Sequence, residues 1–273
     1  MNNQILILGG GFIGKRLHQE WGCPLSEKRI SSYADIQKEI EKYRPKVLVN
    51  CIGHVGINNV DDCELDIDKT LTANTFLPTW LGEIAFRNNI KLVHISSGCI
   101  YNYTYGKQKP IAETRMPDYY TLFYSRTKIY AEQILNTLSK KCNILTIRIR
   151  VPLDIYPDKR NLLTKLINYK KVIDTPNSAT YIPDFVKALK HLIRIDAQGI
   201  YNVTCRGGLR YPELMRAYKQ VVPDFQYEVI RLKQLKLNRT NLILSVDKLA
   251  KSGFPVRNIK EVLKECVAQY VKY

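Results

Sequence analysis

The 273-residue sequence has no apolar run of bilayer-spanning length. It has no C-x-x-C pair, and its seven cysteines (Cys23, Cys51, Cys63, Cys99, Cys142, Cys205, Cys266) are odd in number. A disulfide framework is therefore not expected. Its four histidines, His18, His54, His94 and His191, are scattered without ligand spacing, so no metal is expected. The first residues, Met1-Asn2-Asn3-Gln4, carry no cationic n-region, and the apolar stretch Ile5–Leu8 runs into glycines. No secretory signal is expected, and the location expected is cytoplasmic. Internal repeats and low-complexity linkers are also lacking. Acidic residues are scarce: 25 Asp and Glu stand against 42 Lys and Arg, a net charge of +17. Such an excess suits nucleic acid or an anionic membrane. Yet the cations are dispersed, with only pairs such as Lys140-Lys141 and Lys170-Lys171. A solvated basic surface that attracts small anions is expected, with no nucleic-acid and no membrane partner.

What is present is an alternation of short apolar runs and helical periods. Gln4–Leu8, Lys46–Cys51, Lys91–Ser96 and Asn143–Ile149 read as buried strands. Phe12–Trp21, Asp35–Tyr43, Thr70–Arg87 and Leu122–Leu138 read as helices between them. This spacing predicts an α/β fold, a doubly wound parallel sheet of Rossmann type. The second half reads Asn161–Tyr169, Pro183–Ile193, Tyr211–Val221 and Ile259–Val271 as helices and Ile200–Thr204 as a returning strand. A dinucleotide-binding domain over 1–152 is expected. A smaller α/β substrate domain over 153–273 should follow, with 171–204 partly returning to the first.

Gly9-Gly10-Gly11-Phe12-Ile13-Gly14 fits G-x-G-x-x-G at the first strand-to-helix turn. Gly9 would permit the tight turn, Gly11 the approach of a pyrophosphate, and Gly14 close helix–strand packing. Phe12 and Ile13 open the helix whose amides would face the phosphates. The acid expected about twenty residues on, for an NAD ribose, is not clear. Lys28 and Arg29 stand in that region, able to hold a 2′-phosphate or to lie free on a loop. NADPH is the cofactor expected, with NADH left open.

Tyr124 and Lys128 lie at i and i+4 on one helical face. An ammonium there stabilises a tyrosinate and brings the phenol into working range as an acid. Ser96-Ser97 end the preceding strand, and the Ser97 hydroxyl could bind a substrate carbonyl. His54, just after the strand-end Gly53, reads either as part of the cofactor or sugar site or as a hydrogen-bonded loop residue.

The glycine turn, Asn50-Cys51-Ile52-Gly53 after a strand, Asn74 in the next helix, Ser97 and Tyr124-x-x-x-Lys128 fall in one order. In that order the chain resembles the extended short-chain dehydrogenase/reductase family. Within it, the chain is most similar to the plant-type bifunctional 3,5-epimerase/4-reductases of UDP-4-keto-6-deoxyglucose, which complete UDP-rhamnose synthesis. The segments that carry this are Ser97-Gly98-Cys99-Ile100-Tyr101, Phe123–Lys128, Arg148–Pro152, Arg160–Lys165, Thr175–Thr180 and Gly199–Asn202. Two departures stand out: Leu8 replaces the usual first glycine, and Ser97 a more usual threonine. The resemblance implies a UDP-sugar substrate and Cys51, Gly53, Asn74 and Lys128 on the cofactor. A homodimer is a common arrangement in the family. Inverting C3 and C5 beside a 4-keto group needs a base on one face and an acid on the other, which Tyr124 and Lys128 cannot both cover. The resemblance points to Cys99 and Lys165 for that work. Arg160 and Asn161 could meet the diphosphate, and Asn177 and Ser178 the uridine or diphosphate. A nucleotide-sugar dehydratase would carry Asp-Glu where Gly98-Cys99 stand. A reductase alone, of the dTDP-4-dehydrorhamnose reductase type, stays open. So does a non-catalytic Rossmann protein that regulates or binds RNA.

Overall fold

A computed structural model describes residues 4–26, 28–234 and 240–273. In chain order the elements are β1 (Ile5–Leu8), α1 (Phe12–Trp21), α2 (Tyr33–Tyr43), β2 (Val47–Asn50), α3 (Ile67–Leu71), α4 (Leu77–Arg87), β3 (Lys91–Ser97), α5 (Phe123–Leu138) and β4 (Ile144–Ile149). Then come β5 (Pro152–Leu153), α6 (Leu162–Tyr169), β6 (Lys171–Ile173), β7 (Thr180–Tyr181), α7 (Ile182–Arg194), β8 (Gly199–Asn202), α8 (Tyr211–Val221), β9 (Glu228–Ile230), α9 (Asp247–Lys251) and α10 (Ile259–Tyr270). The fold is the α/β Rossmann type expected.

The chain divides into two compact units: 1–100, 117–148 and 195–201 in the first, and 101–116, 149–194 and 202–273 in the second. The first is built on a five-stranded sheet of order β1-β2-β3-β4-β8. β1 pairs in parallel with β2 from Ile5–Val47 to Leu8–Asn50, and β2 with β3 from Val47–Lys91 to Asn50–His94. On the other edge of β1, Leu25 makes a single parallel bridge to Ile7. The Ile7 amide donates to the Pro24 carbonyl (2.9 Å) and the Ser26 amide to that of Ile7 (2.8 Å). The chain thus leaves β1 for one edge through α1 and returns to the opposite edge through α2. That reversal opens a crevice beyond the strand ends, where ligands bind in open α/β sheets. Leu6, Leu8, Ile36, Leu48, Leu77, Leu81, Leu92, Leu135 and Ile144 form a buried cluster of this unit.

The expected helix Thr70–Arg87 is instead α3, a π-helical turn over Thr72–Phe76, and α4. Pro78 is the physical reason. It has no amide to give the carbonyl four residues back, and its ring crowds that carbonyl. The wider turn just before it absorbs the misfit.

The second unit has two small parallel pairs, β5 with β7 and β6 with β9. Leu163 and Leu166 of α6, Leu214 and Met215 of α8, and Val262 and Cys266 of α10 fill its core. Strands of two or three residues carry too little periodicity to be read from sequence, and none of these four was expected.

Candidate functional site

Gly9 adopts φ 99°, and a Cβ there would lie 2.8 Å from the Ile52 amide nitrogen. A Cβ on Gly14 would overlap the Gly9 carbonyl. Gly11, the N-cap of α1, has open space where its Cβ would be. Gly11 itself has no side chain to cap α1, and no acid stands in its first turn. The turn therefore combines open approach with amides that need an anion or water.

This turn forms one wall of an open cleft of ≈ 680 Å³, lined by Gly9, Gly10, Leu25, Ser26, Lys28, Arg29, Ser31, Ile52, Gly53, His54 and Lys69, among others. Arg29 is exposed. Lys28 is ion-paired to Asp35 at 2.9 Å. The Lys28 hydrogen bond, with those from Ser31 and Ser32, holds the Asp35 carboxyl well below the usual carboxylate range. The Ser26 hydroxyl is buried and has no hydrogen-bond partner among the described residues. Ser26, Ser31 and Lys69 were not singled out from sequence; their place on the wall depends on how α2 and α3 pack.

Asn74, on the π-helical turn, is fully buried. Its Oδ1 accepts from the His54 amide (2.9 Å), and its Nδ2 donates to the His54 carbonyl (2.9 Å). A Cβ on Gly53 would lie 3.2 Å from the Lys128 Nζ and 3.4 Å from the Asn74 Oδ1. Gly53, Asn74 and Lys128 thus converge at the end of β2. Burial pulls the Lys128 ammonium down to about 8, opposed by the nearby Glu132 carboxylate and Cys63. Burial pushes the Cys51 thiol up to about 12, which makes it packing rather than a nucleophile. His54 Nε2 lies 3.8 Å from Asp66 and makes no hydrogen bond among the described residues.

Tyr124 is buried in the first turn of α5. That helix start is capped from a distance: Glu64 accepts from the Phe123 amide at 2.6 Å. The Ser97 hydroxyl accepts from the Cys99 amide (3.1 Å), and the Ser125 hydroxyl donates to the Cys99 carbonyl (2.6 Å). The backbone of Cys99 is therefore clamped between β3 and α5, with its side chain half-buried. Ser125 was missed, since its partner is 26 residues away.

Lys165 is half-buried on α6, in the second unit, as is Arg160 ahead of that helix. Three of the residues expected at the substrate make hydrogen bonds within their own unit. Asn161 is fully buried as the N-cap of α6. Its Oδ1 accepts from the amides of Asp154 and Leu163, and its Nδ2 donates to the carbonyls of Asp154 and Tyr156. Asn177 Oδ1 accepts from Arg150 (2.7 Å) and the Leu242 amide (3.3 Å). Ser178 is fully buried and accepts from the Leu244 amide at 2.9 Å. Asn161 thus has both amide atoms engaged inside the unit, and Asn177 and Ser178 each brace a loop there.

Residues 5–207 match the RmlD substrate binding domain family. The chain belongs to that family. It is similar to an Arabidopsis thaliana bifunctional dTDP-4-dehydrorhamnose 3,5-epimerase/dTDP-4-dehydrorhamnose reductase, 29% identical over 269 residues, covering 93% of this chain and 87% of the relative. It is also 27% identical over 266 residues to an Arabidopsis trifunctional UDP-glucose 4,6-dehydratase/UDP-4-keto-6-deoxy-D-glucose 3,5-epimerase/UDP-4-keto-L-rhamnose-reductase. There it covers 93% of this chain but spans only 40% of the relative's length. The fold matches the crystal structure of the L780 UDP-rhamnose synthase from Acanthamoeba polyphaga mimivirus with a TM-score of 0.89 at 22% identity, covering 97% and 99% of the two chains. A dTDP-4-dehydrorhamnose reductase from Bacillus anthracis in complex with NADP matches with a TM-score of 0.83 at 18% identity, covering 100% and 99%. Among the described residues, no helix is long and apolar enough to cross a membrane.

Proposed function

We propose that this RmlD-family chain is an NADPH-dependent nucleotide-sugar 3,5-epimerase/4-reductase acting on UDP-4-keto-6-deoxyglucose. The observation that carries the reading is the convergence of Lys128 on Gly53 and Asn74, beside an α1 turn open to phosphate, with Tyr124 one turn before Lys128. The glycine-capped, acid-free start of α1 and the Ser26 hydroxyl, without a hydrogen-bond partner among the described residues, fit a phosphorylated dinucleotide. Gly9, Gly11, Phe12, Ile13 and Gly14 would hold its pyrophosphate, and Arg29 its 2′-phosphate. Cys51, Gly53, Asn74 and Lys128 would hold its nicotinamide half. When bound, the cofactor supplies hydride.

The chain's own residues do the rest. Tyr124, with Ser97, stabilises negative charge at O4 while a proton leaves C3 or C5. Tyr124 then gives its proton to O4 during reduction. Lys128, charged below about 8, keeps the phenol acidic enough to serve. Cys99 and Lys165 take the acid–base work at C3 and C5. The similarity to the bifunctional plant relative, and the fixed backbone of Cys99, support that assignment. Arg160 is assigned to the diphosphate.

The test is NMR of the product formed from UDP-4-keto-6-deoxyglucose and NADPH in deuterated water. UDP-rhamnose with deuterium at C3 and C5 is expected. Turnover only of separately epimerised substrate would reduce the chain to a reductase. No turnover, with salt-sensitive RNA binding, would overturn the enzymatic reading.

A further inference from the structure

Three ionisable residues follow one another at four-residue spacing on the buried face of α5: Tyr124, Lys128 and Glu132, exposed by only 6%, 3% and 3%. Glu132 is held from two strands. Arg148 of β4 grips its carboxylate through Nη2 (2.7 Å) and Nε (2.9 Å). Ser96 of β3 donates to it at 2.6 Å. This anchor lies one residue before Ser97 and one turn beyond Lys128.

We propose that Glu132 is a positioning residue that keeps Lys128 cationic, through a buried ladder of alternating charge that Arg148 and Ser96 lock in place. The inference rests on the reading of Tyr124 and Lys128 as the working pair. Arg148 donates to Oε2 through both Nη2 and Nε, and Ser96 donates to Oε1, so both carboxylate oxygens are held by donors. The other groups around Lys128 do not replace it. His94 on β3 is kept neutral by burial and by Lys128 itself. Cys51 is held as a thiol, and burial also raises Cys63, in the 3-10 turn Val60–Glu64. Glu64 binds the Phe123 amide and Arg126. The π-helical turn offers only neutral Asn74 and Thr75. Lys69–Asp66 and Glu83–Arg87 are surface pairs.

The ladder explains why a buried lysine stays charged near neutrality when burial alone drives the ammonium toward the neutral amine. It also ties the charge of Lys128 to the strand that carries Ser97 and leads to Cys99.

The test follows Lys128 directly. Full-length protein is labelled with 13C,15N-lysine, and the Lys128 signal is identified by its loss in Lys128→Met. Its titration midpoint is read in the wild type, Glu132→Gln, Glu132→Asp and Glu132→Gln/Arg148→Met. Removing the anion should move the midpoint to lower pH by about one unit or more. Glu132→Asp should retain most of the wild-type value. The double variant leaves no orphaned buried cation but also loses the repulsion of Arg148, so its midpoint should fall by less; it serves if Glu132→Gln does not fold. A midpoint unchanged in either charge-removing variant would overturn the proposal. This reading needs no substrate, so failure of the sugar assay leaves it standing, and its own failure leaves the sugar assay intact. In active protein, the alkaline limb of kcat/KM should move with the midpoint while Glu132→Asp restores it.

Discussion

Lys128 carries a charge that the folded protein tolerates at a cost. Its ammonium falls from 10.5 to about 8 on burial. A lysine lowered in the native state binds fewer protons there than in the unfolded chain between those values. Its penalty is thus full below about 8 and relieved as pH rises toward 10.5. Lys128→Met should therefore raise stability at neutral pH by about 2–3 kcal/mol while abolishing reduction. Urea melts of the ligand-free protein, with and without the substitution, check it. His94 acts with the same sign in a lower pH window. Burial keeps it neutral in the native state, so the unfolded chain takes up the extra proton below 6.5. Stability should be full above that value and fall as pH drops through it, and His94→Gln should flatten the fall in acid titrations followed by circular dichroism. Cys99→Ala should stop solvent-deuterium exchange at C3 or C5 yet leave NADPH affinity within about twofold, since its backbone clamp survives. Tyr124, Lys128 and the glycines were legible because their chemistry is encoded in local spacing. Asn50 and His94, bonded at 3.0 Å across 44 residues, were not, because only the β2–β3 register makes them neighbours.

At the level of elements, α5 begins on Leu122, which offers no capping side chain. The cap comes from Glu64, 59 residues earlier. Glu64→Ala should cost about 1 kcal/mol and lower kcat more than cofactor affinity, because Tyr124 sits in the turn that frays. Stopped-flow turnover beside a thermal melt separates the two effects. Asn161→Ala should be far more damaging to the second unit, by about 2–4 kcal/mol, since it leaves buried amides and carbonyls unpaired. If Asn161 instead served a ligand, the loss would appear in KM with stability intact. The helices were legible where an apolar stripe ran unbroken, as in α1, α8 and α10. The break before α4 was not, although Pro78 announced it. Proline fixes where a helix is disturbed, but the side chains around it decide whether the chain kinks or widens.

For the whole molecule, the +17 charge gives a long-range pull on anionic ligands. If that pull speeds encounter with a nucleotide sugar, kcat/KM should fall with added salt while kcat stays level. The sheet has one feature that reaches beyond binding. On its outer edge β1 is met at Ile7 by Leu25, through two backbone bonds with Pro24 and Ser26. The same short segment continues into Ser26, Lys28 and Arg29 along the cleft wall. A bound adenosine phosphate would weigh on that segment and hold the latch shut; an empty cleft would let it breathe. The amides of Ile7 and Ser26 are then natural reporters, exchanging with solvent faster in the ligand-free protein than those of β2 and slowing when cofactor arrives. The same latch covers an unpaired strand edge, so loss of cofactor would also bare the place where two copies could join edge to edge and aggregate.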